Sequence, residues 1–128
     1  MTAAWLEGGC HCKRVRFRVR GQPERLLECN CSICTMKGYL HWIVGPDDFA
    51  LQSPSDAVST YRFGTRQAQH HFCPVCGVSP YYIARSDPDK IDVNARCVRG
   101  LDLAAIPREP FDGRDWDRAF ADYSKSPA

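Results

Sequence analysis

Seven of the eight cysteines in this 128-residue chain fall into three tight clusters, Cys10-x-Cys12, Cys29-x-Cys31-x-x-Cys34 and Cys73-x-x-Cys76. Cysteines this closely spaced converge on one metal ion more readily than they tie distant segments together, so the pattern points to zinc ligation rather than to a disulfide framework. Seven ligands do not divide into fours. One four-thiolate site uses up two clusters, and the third supplies three thiolates with a vacant fourth position. Closed four-coordinate zinc holds structure, whereas three protein ligands plus an open position is the arrangement of catalytic sites.

The spacings suggest which clusters pair. Cys10 and Cys12, as residues i and i+2 of an extended strand, would present both sulfurs on one face. Cys73-Pro74-Val75-Cys76-Gly77 reads as a tight knuckle in which Gly77 is free to take a positive φ. Together they make a closed site whose metal binding would be part of the folding free energy. The central Cys29, Cys31 and Cys34 can wrap one side of a metal, with water, a substrate atom or Cys97 as the fourth ligand. Alternation along Ile91-Asp92-Val93-Asn94-Ala95-Arg96-Cys97 puts Cys97 on the face of Ile91, Val93 and Ala95. It therefore reads as a small buried hydrophobe, and the second site stays open.

Length and composition are those of one globular domain, residues 1–128 with a core over about 5–123, small enough to profit from metal staples. No apolar run approaches the roughly 20 residues that span a bilayer. Met1 to Gly9 lacks the basic start and apolar centre of a signal peptide, so a reducing, cytoplasmic setting is expected. The formal net charge of +2 demands neither a membrane nor a nucleic acid.

Strict alternation between Lys13 and Arg20 predicts a half-buried strand, with Val15, Phe17 and Val19 inward and Arg14, Arg16, Arg18 and Arg20 on a solvated face. Further short strands are expected over Arg25–Cys29, Tyr39–Val44, Val58–Phe63, Gln69–Phe72, Tyr81–Arg85 and Ile91–Cys97, and their spacing favours an antiparallel, mainly β architecture. Ser32–Lys37 suggests a short helical turn. Leu101–Phe111, with two prolines, reads as an irregular connection. Trp116, Phe120 and Tyr123 at i, i+4 and i+7 predict a short C-terminal helix, with Asp115 as its cap.

Gly8-Gly9-Cys10-His11-Cys12, Cys29-Asn30-Cys31-Ser32-Ile33-Cys34 and Phe72-Cys73-Pro74-Val75-Cys76-Gly77 together resemble the glutathione-dependent formaldehyde-activating enzyme family, which includes centromere protein V. Tyr82-x-x-Arg85-Ser86-x-Pro88-Asp89, Asn94-x-x-Cys97 and Phe111-Asp112-Gly113-x-Asp115-Trp116 extend the resemblance over nearly the whole chain. It implies an antiparallel β-tent zinc fold with two zinc ions per chain. One is structural, on Cys10, Cys12, Cys73 and Cys76; the other is catalytic, on Cys29, Cys31 and Cys34. It also implies a carbon–sulfur lyase chemistry that forms or breaks an S-hydroxymethyl adduct of glutathione, or a related thiol, with formaldehyde or another small aldehyde.

An open zinc favours the deprotonated form of an incoming thiol, which would attack the aldehyde. The new hydroxyl needs a proton, and His11, His41, His70 and His71 are the candidates in a useful titration range, although a structural role is the simpler reading of each. Arg85, beside Tyr81-Tyr82, is a candidate anchor for a glutathione carboxylate. Trp42, on the strand following the open cluster, is better explained by core or surface packing than by a pocket wall. The alternative function is a non-catalytic zinc module contacting protein or nucleic acid, supported only by the arginine stripe. A thiol redox role for Cys73-x-x-Cys76 competes poorly with ligation.

Overall fold

The computed structural model describes residues 4–125. In chain order its strands are β1 (Trp5–Gly9), β2 (Arg16–Arg20), β3 (Leu26–Cys29), β4 (His41–Val44), β5 (Phe49–Leu51), β6 (Ser59–Tyr61), β7 (His70–Phe72), β8 (Tyr81–Tyr82), β9 (Ile91–Asn94) and β10 (Arg108–Phe111). Helix α1 (Ser32–Lys37) follows β3, and α2 (Trp116–Lys125) follows β10. The mainly β architecture with a short C-terminal helix is the expected one. None of the described helices is long and apolar enough to cross a membrane.

Alternation in β2 works as the sequence predicts: Phe17 and Val19, with the preceding Val15, are buried, and Arg16 and Arg18 are exposed. β2 is the middle of an antiparallel sheet of order β1-β2-β5. The strand β1 escapes a propensity reading because it ends in two glycines. Its pairing explains them, since a Cβ on Gly8 would lie 2.5 Å from the ring of Phe17, its cross-strand partner. The arginine stripe is partly committed within the molecule, through Arg20 to Asp48 at 2.8 Å and Arg14 to the Ala57 carbonyl at 3.0 Å.

The second sheet, of order β10-β3-β4-β9-β8, has two different faces. Because side chains alternate along each strand, Leu26, Trp42, Val44, Val93 and Tyr81 share one face. They join Val15, Phe17 and Val19 in the main core. There the Phe17 ring stacks on Phe49 at 5.2 Å and meets Tyr81 edge-on at 6.4 Å. Trp42 is thus a core residue, as expected. Leu27, Cys29, His41, Ile43, Tyr82, Asp92 and Phe111 lie on the opposite face and line a cavity. A two-stranded sheet, β6-β7, joins the edge of this wall through a bridge between Gln69 and Ile83.

Four local expectations are corrected. Leu101–Phe111 is not wholly irregular: β10 pairs in parallel with β3, and Pro110 is tolerated because β10 is an edge strand with a free side. The Lys13–Arg20 strand starts only at Arg16, because Cys10 to Val15 forms the loop of the β1–β2 hairpin, with Lys13 at φ 69°. Ile91–Cys97 stops being a strand at Asn94, whose side chain accepts from the Arg96 amide at 3.1 Å and opens a 3-10 turn over Ala95–Cys97. Asp115 is not a helix cap among the described residues: it closes the 3-10 turn Gly113–Asp115, its amide donating to the Asp112 carbonyl at 3.1 Å, and the turn leads straight into α2.

The packing sets a stability contrast within one strand. Phe17→Ala should cost about 3–5 kcal/mol, the range for deleting a buried aromatic. Arg18→Ala, on the exposed face, should stay within about 0.5 kcal/mol of the parent. Chemical denaturation of the two variants measures the difference.

Candidate functional site

The Sγ atoms of Cys10, Cys12, Cys73 and Cys76 lie within 4.8 Å of one another, in a group that could hold a metal ion. Tetrahedral ligands at a Zn–S distance of about 2.3 Å sit about 3.8 Å apart. The Cys10–Cys12 and Cys12–Cys73 separations of 3.7 and 3.6 Å fit that geometry. The first pair comes from the hairpin loop, not from an extended strand as its spacing suggested. The second is the expected knuckle, in which the amides of Val75 and Cys76 point at the Cys73 sulfur from 3.4 and 3.5 Å and Gly77 has φ 80°. The Val15 amide likewise donates to Cys10 at 3.3 Å. All eight cysteines are free of disulfides.

Cys29, Cys31 and Cys34 form a second group meeting the same distance limit. Strand β3 and helix α1 hold it. β3 delivers Cys29, Cys31 caps α1 by accepting from the Cys34 amide at 3.4 Å, and the first turn of α1 brings Cys34 round. Asn30, between them, is clamped to the segment entering α2: its side chain donates to Asp112 at 2.9 Å and accepts from the Arg114 amide at 3.1 Å. The same segment closes over the sulfurs, where a Cβ on Gly113 would stand 2.5 Å from Cys29 Sγ and 2.7 Å from Cys31 Cβ. Hydrogen bonding from Cys29 and Cys34 holds the Cys31 thiol down to about 2, while the Cys29 thiol, bonded first to Cys31, is pushed up to about 11. Cys34 is also driven upward, by its bonds to Cys29 and Cys31.

Cys97 does not join either group. Its sulfur lies 4.0 Å from the Ser79 carbonyl and its thiol is raised to about 11, mainly by burial and then by Cys10 and Cys76. It is half-buried in its 3-10 turn, outside the fully buried core, so the strand parity that placed it there is corrected. It does not close the three-cysteine group.

That group borders a cavity of about 510 Å³. The floor is the polar-bearing face of the five-stranded sheet, and the walls include Ile33, Phe63, Phe111 and Trp116. Arg85 Cζ lies 3.6 Å above the centre of the Trp116 ring and the side chain donates to Gln67 at 3.0 Å, while Arg114 donates through Nε to the Asn30 carbonyl at 3.0 Å. Both line the cavity, one foreseen and one not.

Of the four histidines, two reach this cavity. His70 stacks between Phe63 and Tyr82, at 5.4 and 4.9 Å, and burial together with Lys37 lowers it to about 4. His41 is buried and sits 2.8 Å through Nδ1 from Asp92 Oδ2. His41 Nε2 and Asp92 Oδ1 are both buried with no partner among the described residues, and each unmade bond costs about 1–3 kcal/mol. His11 is exposed, and His71 bonds Thr60 at 2.8 Å outside the cavity. Asp92, Tyr82 and Gly113 were not singled out from sequence as site residues. The alternation of polar Asp92 and Asn94 with apolar Ile91 and Val93 was the available signal for the first of them.

Gly113→Ala should push Cys29 off its position and weaken metal binding at the three-cysteine group by about 10–100-fold, the range for disturbing a ligand's support. The four-cysteine group should be unaffected. Chelator competition followed by cobalt absorption distinguishes the two.

A family model described as glutathione-dependent formaldehyde-activating enzyme matches residues 5–109. A protein of Halomonas elongata named "Putative glutathione-dependent formaldehyde-activating enzyme" is 28% identical over 142 residues, covering 92% of this chain and 88% of the relative. A crystal structure of a Rhodobacter sphaeroides protein superposes with a TM-score of 0.70 at 30% identity, covering 80% of this chain and 99% of that one. With both cysteine groups inside the matched span, the chain belongs to the glutathione-dependent formaldehyde-activating enzyme family.

Proposed function

We propose that this protein is a zinc-dependent carbon–sulfur lyase-type enzyme, acting on glutathione or a related thiol and on formaldehyde or another small aldehyde. The observation that carries the reading is the contrast between the two cysteine groups. Cys10, Cys12, Cys73 and Cys76 form a complete set of four, while Cys29, Cys31 and Cys34 have no fourth such ligand among the described residues and open on a cavity. The first group we assign to a structural zinc and the second to a catalytic one. Free thiols in these numbers suit a reducing compartment, and we place the protein in the cytoplasm.

Zinc at the open site would supply deprotonation and orientation of the incoming thiol. The chain's own residues do the rest. Arg85 and Arg114, held by Trp116 and by the Asn30 carbonyl, offer guanidinium groups to the carboxylates of a glutathione-like thiol. Ile33, Phe63, Phe111 and Trp116 limit water around the reacting atoms, which strengthens the electrostatic interactions there.

The division of labour predicts different failures. Cys10→Ser and Cys76→Ser should abolish the cooperative thermal transition, because structural zinc binding is part of folding. Cys31→Ser should retain that transition, bind one zinc fewer and lose aldehyde consumption. Equal collapse of all three variants would contradict the assignment.

In cobalt-loaded wild-type protein, titration with glutathione should give a saturable change in the visible spectrum, absent in Cys31→Ser. A spectrum indifferent to glutathione would remove the thiol-binding step from the proposal.

A further inference from the structure

Resting on that reading, we propose that His41 is the proton-transferring residue of the cavity, acting through Nε2 on the hydroxyl of the thiol–aldehyde adduct, with Asp92 as its positioning residue. The two lie on the cavity face of adjacent strands, β4 and β9, and both are nearly inaccessible, at 4% and 2%. With Asp92 Oδ2 as the acceptor of the 2.8 Å contact, His41 Nδ1 is the donor and Nε2 is the ring nitrogen left for a ligand. Two further side chains fix the arrangement. Tyr39 donates to the Asp92 backbone carbonyl at 2.6 Å with its ring 4.6 Å from the imidazole, and Tyr82 Oη stands 3.4 Å from Nδ1.

What remains is an imidazole nitrogen, buried and with no partner among the described residues, on a residue that lines the cavity bordered by the cysteines. Buried polar atoms are rarely left unbonded, and a ligand that brings a hydroxyl completes this one. The strand register puts it in reach. His41 pairs with Leu27, two residues before Cys29, so Cys29 is its diagonal neighbour across the sheet, at about 7–8 Å between backbones. His70, the other cavity histidine, stacks on Phe63 and Tyr82 and belongs to β7 of the two-stranded sheet, not to the strands that carry Cys29 and Asp92.

In the cleavage direction His41 Nε2 takes the proton of the adduct hydroxyl. The O–H pair becomes the second bond of the carbonyl, the carbon–sulfur bond breaks with its pair passing to sulfur, and the imidazolium then returns the proton to the departing thiolate. Addition runs the same steps backward, with nothing oxidised or reduced. A general base so placed contributes about 10²–10⁴ in rate.

The test uses zinc-loaded, ¹⁵N-labelled full chain with a glutathione and formaldehyde mixture. Free protein should show a proton on His41 Nδ1, the nitrogen facing Asp92, and the mixture should shift Nε2 while leaving Nδ1 in place. His41→Gln should lower kcat by about 100-fold or more with KM little changed, Asp92→Asn should lower the same parameter, and His71→Gln, outside the cavity, should match the wild type. An unchanged kcat in a folded His41→Gln protein, or an Nε2 resonance indifferent to the mixture, overturns the assignment. If the variant does not fold, the wild-type resonance decides. A wild type that consumes no aldehyde overturns the enzymatic reading instead, and an Nε2 shift in that protein would still establish His41 as a contact to the adduct hydroxyl.

Discussion

Sulfur atoms as crowded as those of Cys29, Cys31 and Cys34 cannot all ionise unless a cation lies among them, and much of the surrounding structure serves to keep them crowded. The opposed shifts of Cys31 and Cys29, each caused first by the other's sulfur, express that conflict. A metal with a vacant position resolves that conflict and leaves room for a fourth donor. The same principle acts at Cys10, Cys12, Cys73 and Cys76, but there the set is complete and amide donors from Val15, Val75 and Cys76 further support the sulfurs.

The crowding at the open group is maintained from a distance of some eighty residues. Parallel pairing of β10 with β3 sets Phe111 opposite Cys29, so the chain emerging from β10 passes directly over the cluster. Asn30 fastens it there through Asp112 and Arg114, and only a glycine at 113 leaves space for the sulfur beneath. Helix α2 is then carried onto the cavity, where Trp116 meets Arg85 and Tyr123 reaches Asp87 at 2.9 Å.

One sheet therefore does two jobs. Its inner face, with Trp42 and Val93, is dry core against Phe17 and its neighbours. Its outer face carries polar and ligating groups into a cavity, and the register of β3, β4 and β9 brings Cys29, His41 and Asp92 onto it. The core provides the rigidity on which the polar face depends, since a half-satisfied pair such as His41 and Asp92 persists only where its surroundings are fixed.

Cysteine spacing, the alternation of β2 and the i, i+4, i+7 stripe of α2 are local patterns, so the two cysteine groups, a half-buried strand and the last helix were legible in the sequence. Features set by contact between distant segments were not. The strand at Arg108–Phe111 is hidden by Pro110 and made possible by a free edge, β1 is masked by a glycine that exists to admit Phe17, and Cys97 left its expected face because Asn94 ended the strand. By itself the sequence determined which sulfurs could act together, because thiolates one and two residues apart have few other uses. Tertiary structure alone decided that Cys97 stays outside the second group, and that His41 and Asp92 share its cavity, because strand register and turn geometry place side chains that no local pattern can position.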